Sequence, residues 1–216
     1  MRGQIGGERV LLIVIQLIQS ASIGVNMISI IAYKTSWPNE FLEKATMLRN
    51  ILGDLVLRID HIGSTSVPGL AAKDVIDIQI TADRLSHNLE SAMTLAGFQR
   101  LSNITQDHVP PGKDADAHEW GKWFFQPASA GRRVNVHVRL PGRANQRYAI
   151  LFRDYLRAFP DIAQAYGQVK EAIVKYHPEQ DMEAYYGIKD PVCDIIHSGA
   201  EQWAIATNWQ PGPSDC

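Results

Sequence analysis

The chain has little cysteine: Cys193 and Cys216 are the only two in 216 residues, and they show no metal-ligand spacing. That excludes a disulfide-stapled scaffold and suits a reduced, cytoplasmic protein. No His-x-x-x-His pair occurs, which argues against a zinc hydrolase. No apolar run reaches the roughly 18 residues that a membrane-crossing helix needs. Internal repeats and low-complexity tracts are missing too. Net charge is only −2, so the chain as a whole is no magnet for nucleic acid.

What is present is ordinary for a soluble globular protein: 45% hydrophobic and 20% charged residues. The length suits one domain with a good-sized core. Residues 1–26 stand apart. Arg2 and Arg9 precede a short apolar run, residues 10–18, and then Ser20-Ala21-Ser22. A secretory signal has that order. We read the segment instead as an N-terminal extension from an upstream start, with Met27 opening the working domain, because residues 28–33 already read as its first element. The domain is expected over 27–207, with a flexible tail over 208–216.

Periodicity places a helix over 39–52, after Trp37-Pro38 and with Ser36 as a possible cap. Strands follow over 55–60 and 75–81, then a helix over 85–96 stopped by Gly97, then a short strand over 98–101. Residues 102–119 are polar and read as a mobile loop or active-site flap. A hairpin pair covers 122–126 and 133–140. Helices are expected over 145–159, 162–176, 181–186 and 192–206. The order implies an α+β fold: a mixed sheet backed by helices, with a helical C-terminal part.

Strand alternation gives a testable site. In residues 75–81, Ile76, Ile78 and Ile80 share one face, and Asp77, Gln79 and Thr81 the other. In residues 133–139, Val134, Val136 and Val138 share one face, and Arg133, Asn135, His137 and Arg139 the other. With the polar faces aligned, Asp77 and His137 look into one cleft. The alternative is that these faces merely meet water.

The segment between the first two strands, His61-Ile-Gly63-Ser64-Thr65-Ser66-Val-Pro68-Gly69, is a turn that suits an anion. Gly63 permits close approach, Ser64 and Thr65 offer donors, and Lys73 lies within reach in sequence. His61 either holds the loop or touches the ligand. Residues 131–157 hold seven arginines and one acid, Asp154, an excess that suits a ligand bearing several phosphates. Arg153 and Arg157, one helical turn apart, form a candidate phosphate clamp, or else an ion ladder with Asp154. Tyr166 and Lys170 on the next helix carry the same ambiguity. His118-Glu119 in the flap is a lesser candidate for a base. A nucleic-acid binder is disfavoured, since aromatic residues are not interleaved with the arginines.

Four pieces of the chain resemble the GrpB family, a branch of the nucleotidyltransferase superfamily. They are Tyr33 with Trp37-Pro38; His61 to Lys73 running on to Ile76-Asp77; Arg133 with Val136-His137-Val138; and Leu151-Phe-Arg-Asp-Tyr-Leu156 with Pro160, Tyr166 and Lys170. The resemblance implies a nucleotidyltransferase-like fold. The family also occurs fused behind dephospho-coenzyme A kinase in some bacteria. It further implies Gly63 and Ser64 on the phosphates of a nucleoside triphosphate; from the residues themselves we expect Lys73 and the arginines to neutralise them. Asp77 would hold magnesium, and His137 would act as base or ligand. The superfamily's second acid, two residues after the first, is Gln79 here, and Asn135 and His137 stand where a third acid is expected. A catalytically degenerate module binding a nucleotide or a coenzyme A precursor is therefore the alternative to an enzyme.

Overall fold

A sheet whose strands are apolar on one face and polar on the other must bury the first and can leave the second to water or to a cavity, and the computed structural model shows which. It describes residues 28–177 and 182–216. The extension expected over 1–26 lies outside them. The strands are β1 (Arg58–Ile62), β2 (Ile76–Thr81), β3 (Phe98–Arg100), β4 (Trp123–Pro127) and β5 (Val134–Arg139), in the order β1-β2-β5-β4-β3. Only β2 and β5 run parallel; the other neighbours are antiparallel. The helices are α1 (Trp37–Leu52), α2 (His87–Leu95), α3 (Ala117–Trp120), α4 (Ala144–Ala158), α5 (Pro160–Tyr176) and α6 (Met182–Thr207). The α+β reading with a mixed sheet is what the structure shows.

The apolar face is the main core. Ile76, Ile78, Ile80, Val134, Val136 and Val138 pack in one cluster with α1 and α2. Helix α1 supplies Trp37, Phe41, Ala45, Leu48 and Leu52, a spacing of three and four that makes one continuous stripe. Burying each of Phe41, Leu48 and Leu52 contributes about 1.5–3 kcal/mol. Ser36 makes no side-chain cap on the backbone; its hydroxyl donates to Glu40 instead, at 2.6 Å. Helices α4, α5 and α6 pack on each other and on Val67 and Leu70 of the loop after β1. They leave a cavity over the sheet's polar face.

Two expectations, one on the last helices and one on the tail, differ from the structure. The two helices expected over 181–186 and 192–206 form one helix, α6, which runs through Pro191. Proline removes a single N–H from the ladder. Packing on both sides outweighs that loss, with Tyr185 against Ile28 and Ile173, and Cys193 against the second cluster. The polar loop over 102–119 lines the cavity with Ile104, Asp107 and His108, as the flap reading expects, and is tied down where Asp107 N–H donates to Trp120 O at 2.9 Å and Lys122 N–H to Thr105 O at 2.8 Å. The tail is docked rather than frayed. Cys216 N–H donates to Ile59 O at 3.2 Å, and Asp215 accepts from His61 N–H at 2.9 Å. It lies along the outer edge of β1, which has no partner strand on that side among the described residues.

Candidate functional site

The register of β2 on β5 sets Asp77 beside Asn135, Gln79 beside His137 and Thr81 beside Arg139. The two polar faces therefore align, as alternation requires. A cavity of about 690 Å³ opens above them, lined from the sheet by Asp77, Asn135, His137 and Arg139. Its other walls come from the Gly63–Thr65 turn, from Lys73, and from Tyr148, Tyr166, Lys170 and Lys189 on the helices.

Asp77 is the acid that β2 presents to the cavity. Its side chain is 26% exposed and lines the cavity. Asn135 Nδ2 donates to Asp77 Oδ1 at 2.9 Å, and Gln126 Nε2 donates to Asn135 Oδ1 at 2.9 Å, so a chain of amides aims the carboxylate. Burial alone would raise its pKa. The neighbouring His137 and Asn135 outweigh that and hold the carboxyl below its usual range. His137 Nε2 stands 3.8 Å from Asp77 Oδ1, a close contact beyond hydrogen-bond length. Burial pushes the His137 imidazole down to about 4, against the pull of Asp77, so it is neutral at pH 7.

Gly63 has to be glycine. Its backbone sits at φ 70°, ψ −174°, a region that only glycine adopts readily. A Cβ there would come 2.5 Å from Asp77 Oδ2. Gly63→Ala is expected to cost about 1–3 kcal/mol from backbone strain alone, with the displacement of Asp77 added. Urea unfolding of the variant measures it. A loss below a few tenths of a kcal/mol would show that the turn relaxes freely.

The turn meets a lysine, but not the one expected. Lys170 on α5 is only 2% exposed. Its Nζ donates to Ser64 Oγ at 2.9 Å and to Ala71 O, and lies 4.5 Å from the centroid of the Tyr166 ring. Burial pushes its pKa down to about 7. Lys73 lines the same cavity but rests on aromatic rings, its Nζ 4.4 Å from the Tyr185 centroid and 4.9 Å from that of Tyr186. Burial brings it to about 8, against Asp77 and helped by Lys189 and Arg133.

The other end of the cavity holds a residue that the sequence did not single out. Asp107 accepts from Lys122 Nζ at 2.7 Å, from Arg139 Nε and Nη2 at 2.8 Å each, and from Asn145 Nδ2 at 3.0 Å. Burial alone would raise its pKa; the charges and hydrogen bonds of Arg139 and Lys122 hold it far below the usual range. The one signal in the sequence was an acid inside a polar loop, and nothing local showed which cations would close on it.

The arginines scatter. Arg133 and Arg139 line the cavity. Arg132 pairs with Glu40 and Asp74, Arg143 with Glu119, and Arg147 with Glu201. Of the two readings of Arg153 and Arg157, the ladder with Asp154 is the one that forms: Asp154 Oδ1 lies 2.8 Å from Arg153 Nε and 3.9 Å from Arg157 Nη1. Arg153 is buried, donating to His61 O at 3.0 Å and pairing with Asp154 and Asp215. Arg157 donates to Ser66 O at 3.0 Å, which pins the turn from behind. His61 also works from behind: it pairs with Ile78 on the apolar face, stacks on Phe41 at 4.6 Å and meets Thr65 Oγ1 at 3.1 Å. His118 is exposed and does not line the cavity. Its neighbour Glu119 caps α4 by accepting from Ala144 N–H at 2.9 Å.

Magnesium takes oxygen ligands in an octahedral shell. Gln79 is unavailable, since its amide donates to Gln146 O at 3.0 Å and its oxygen accepts from Arg139. Asp107 is saturated. No group of three or more His, Cys, Asp or Glu suited to a metal occurs among the described residues. On the sheet wall that leaves one carboxylate, Asp77, to meet an ion. This donor set does not fit a two-ion clamp.

Comparison with known proteins agrees with the fold. A family model described as "GrpB protein" matches residues 27–198. A protein named dephospho-CoA kinase from Mycolicibacterium paratuberculosis is 36% identical over 81% of the chain, which spans 46% of that protein. The UPF0157 protein YqkA of Bacillus subtilis is 30% identical, over 88% of the chain and 52% of its own length. The chain thus spans about half the length of these curated relatives. The crystal structure of the conserved protein GrpB from Enterococcus faecalis superposes with a TM-score of 0.67 at 27% identity, covering 81% of the chain and 99% of that structure.

Proposed function

The chain belongs to the GrpB family, and from that premise we propose that its cavity binds a phosphate-bearing small molecule, a nucleoside triphosphate or a phosphorylated coenzyme A precursor. One observation carries the reading: a nearly fully buried lysine, Lys170, is aimed at Ser64 in a cavity that Lys73, Lys189, Arg133 and Arg139 also line. Burying a cation costs several kcal/mol, and an anionic ligand offsets that cost. The phosphate would lie on Ser64 and Lys170, with Lys73 swinging off its tyrosines to join it. The name of the mycobacterial relatives supports the choice of ligand class.

A second reading, transfer of a nucleotidyl group to an acceptor, is favoured by Asp77 being open to the cavity. There Asp77 would hold a magnesium ion that arrives with the phosphates. Such an ion would supply charge neutralisation at the phosphoryl oxygens.

Thermal stability against a panel of nucleoside triphosphates and phosphorylated coenzyme A precursors, with and without magnesium, tests both. A shift that ignores magnesium and survives Asp77→Asn supports binding alone. A magnesium-dependent shift lost in Asp77→Asn supports transfer chemistry. No shift with any phosphate-bearing ligand contradicts both.

A further inference from the structure

His137 lines the cavity from β5, and the atoms around its ring decide which nitrogen carries the hydrogen. Nδ1 lies 3.3 Å from Lys122 Nζ and 3.4 Å from Arg139 Nη2. A guanidinium has only N–H donors and is never deprotonated in a protein, and an ammonium likewise has no acceptor. Nδ1 is therefore the acceptor, and in the neutral ring the hydrogen sits on Nε2. Both cations are in turn fixed by Asp107, at 2.7 Å to Lys122 and 2.8 Å to Arg139. Phe124 meets the ring edge-on, with centroids 4.9 Å apart, and limits its rotation. Nε2 is left facing Asp77 Oδ1 at 3.8 Å.

We infer that Asp107, Lys122 and Arg139 are positioning residues that lock His137 in its Nε2–H form, so that it presents a hydrogen-bond donor beside the Asp77 carboxylate. This removes His137 from the role of proton acceptor that the sequence suggested. Asp77 is left as the acceptor on that wall. The ligand group that fits there is an oxygen with lone pairs for His137, such as a phosphate oxygen, flanked by a hydroxyl or amine hydrogen for Asp77. The use on a ligand rests on the phosphate-binding reading above; the tautomer does not.

Nitrogen-15 NMR of the imidazole in the ligand-free full chain near neutral pH reads the tautomer directly. The expected result is an acceptor-type Nδ1 and a protonated Nε2. A protonated Nδ1, or rapid exchange between the two forms, would overturn the inference. In Lys122→Met one of the two donors is lost, so Nδ1 should move toward the exchanging mixture. An unchanged ring would remove Lys122 from the positioning set. The ligand role is read by titrating inorganic tripolyphosphate. His137→Gln, which keeps an N–H donor, should bind within about threefold of the parent, and His137→Ala about tenfold more weakly. Equal losses in both variants would contradict the donor role. No tripolyphosphate binding by the parent, with the Nε2–H form present, would sink the phosphate-binding reading and leave the tautomer standing.

Discussion

Asp107→Ala is expected to lower folding stability by about 3–5 kcal/mol, a larger effect than any other single polar substitution at the site. Lys122 and Arg139 are 8% and 5% exposed, and both form their ion pair with this one carboxylate. Its removal leaves two buried cations uncompensated and also strips Asn145 of an acceptor. Asp107→Asn keeps the shape and one acceptor oxygen but loses the charge, so its cost should be smaller yet substantial. The pH dependence has a definite sign. The folded-state pKa lies below the unfolded one, so the stabilisation is fully present above the unfolded carboxyl pKa of about 3.9 and is lost as pH falls below it. The stability gap between parent and Asp107→Ala, measured by urea unfolding, should be constant near neutral pH and narrow under acid conditions. A gap below about 1 kcal/mol at neutral pH, the range of an exposed pair, would show that the cluster is solvated.

Lys170→Met is expected to weaken binding of inorganic tripolyphosphate or ATP by about 10–100-fold, the worth of a charged hydrogen bond lost from a closed site. Because burial brings Lys170 to about 7, it is only partly charged at neutral pH. Parent affinity should fall as pH rises through that value, and Lys170→Met should flatten the part of the curve that the ligand's own titration does not explain. Stability should move the other way. The folded state binds fewer protons than the unfolded one between about 7 and 10.5, so this lysine destabilises less as pH rises across that range. Lys170→Met should therefore fold at least as well as the parent at neutral pH. Calorimetric titration across the pH range decides the matter. Unchanged affinity in the variant would place the anion elsewhere.

The period of two in β2 and β5 was enough to place Asp77 and His137 in one cleft, because the polar and apolar residues alternate without a break and a parallel register then aligns like with like. The same rule, applied to β1, would have put His61 with Ile59 on the core side, since Ile62 rather than His61 shares the Asp77 face. The arginine-rich stretch misleads for a different reason. Charge that is local in sequence is neutralised by acids from distant segments, as with Arg147 and Glu201 or Arg153 and Asp215. Lys170 was legible only as an ambiguous candidate and Asp107 not at all, because their roles arise only when α5 and the polar loop close over the sheet.

The family membership and the mixed sheet do not depend on what fills the cavity. The central claim is that phosphate sits on the Gly63–Ser64 turn. Backbone amide NMR of the full chain titrated with inorganic tripolyphosphate tests it most directly. Shifts centred on Gly63, Ser64, Thr65 and the Lys170 turn of α5 are the expected result. Shifts confined to the exposed surface around Arg143 and Arg147, or none at saturating ligand, would contradict it.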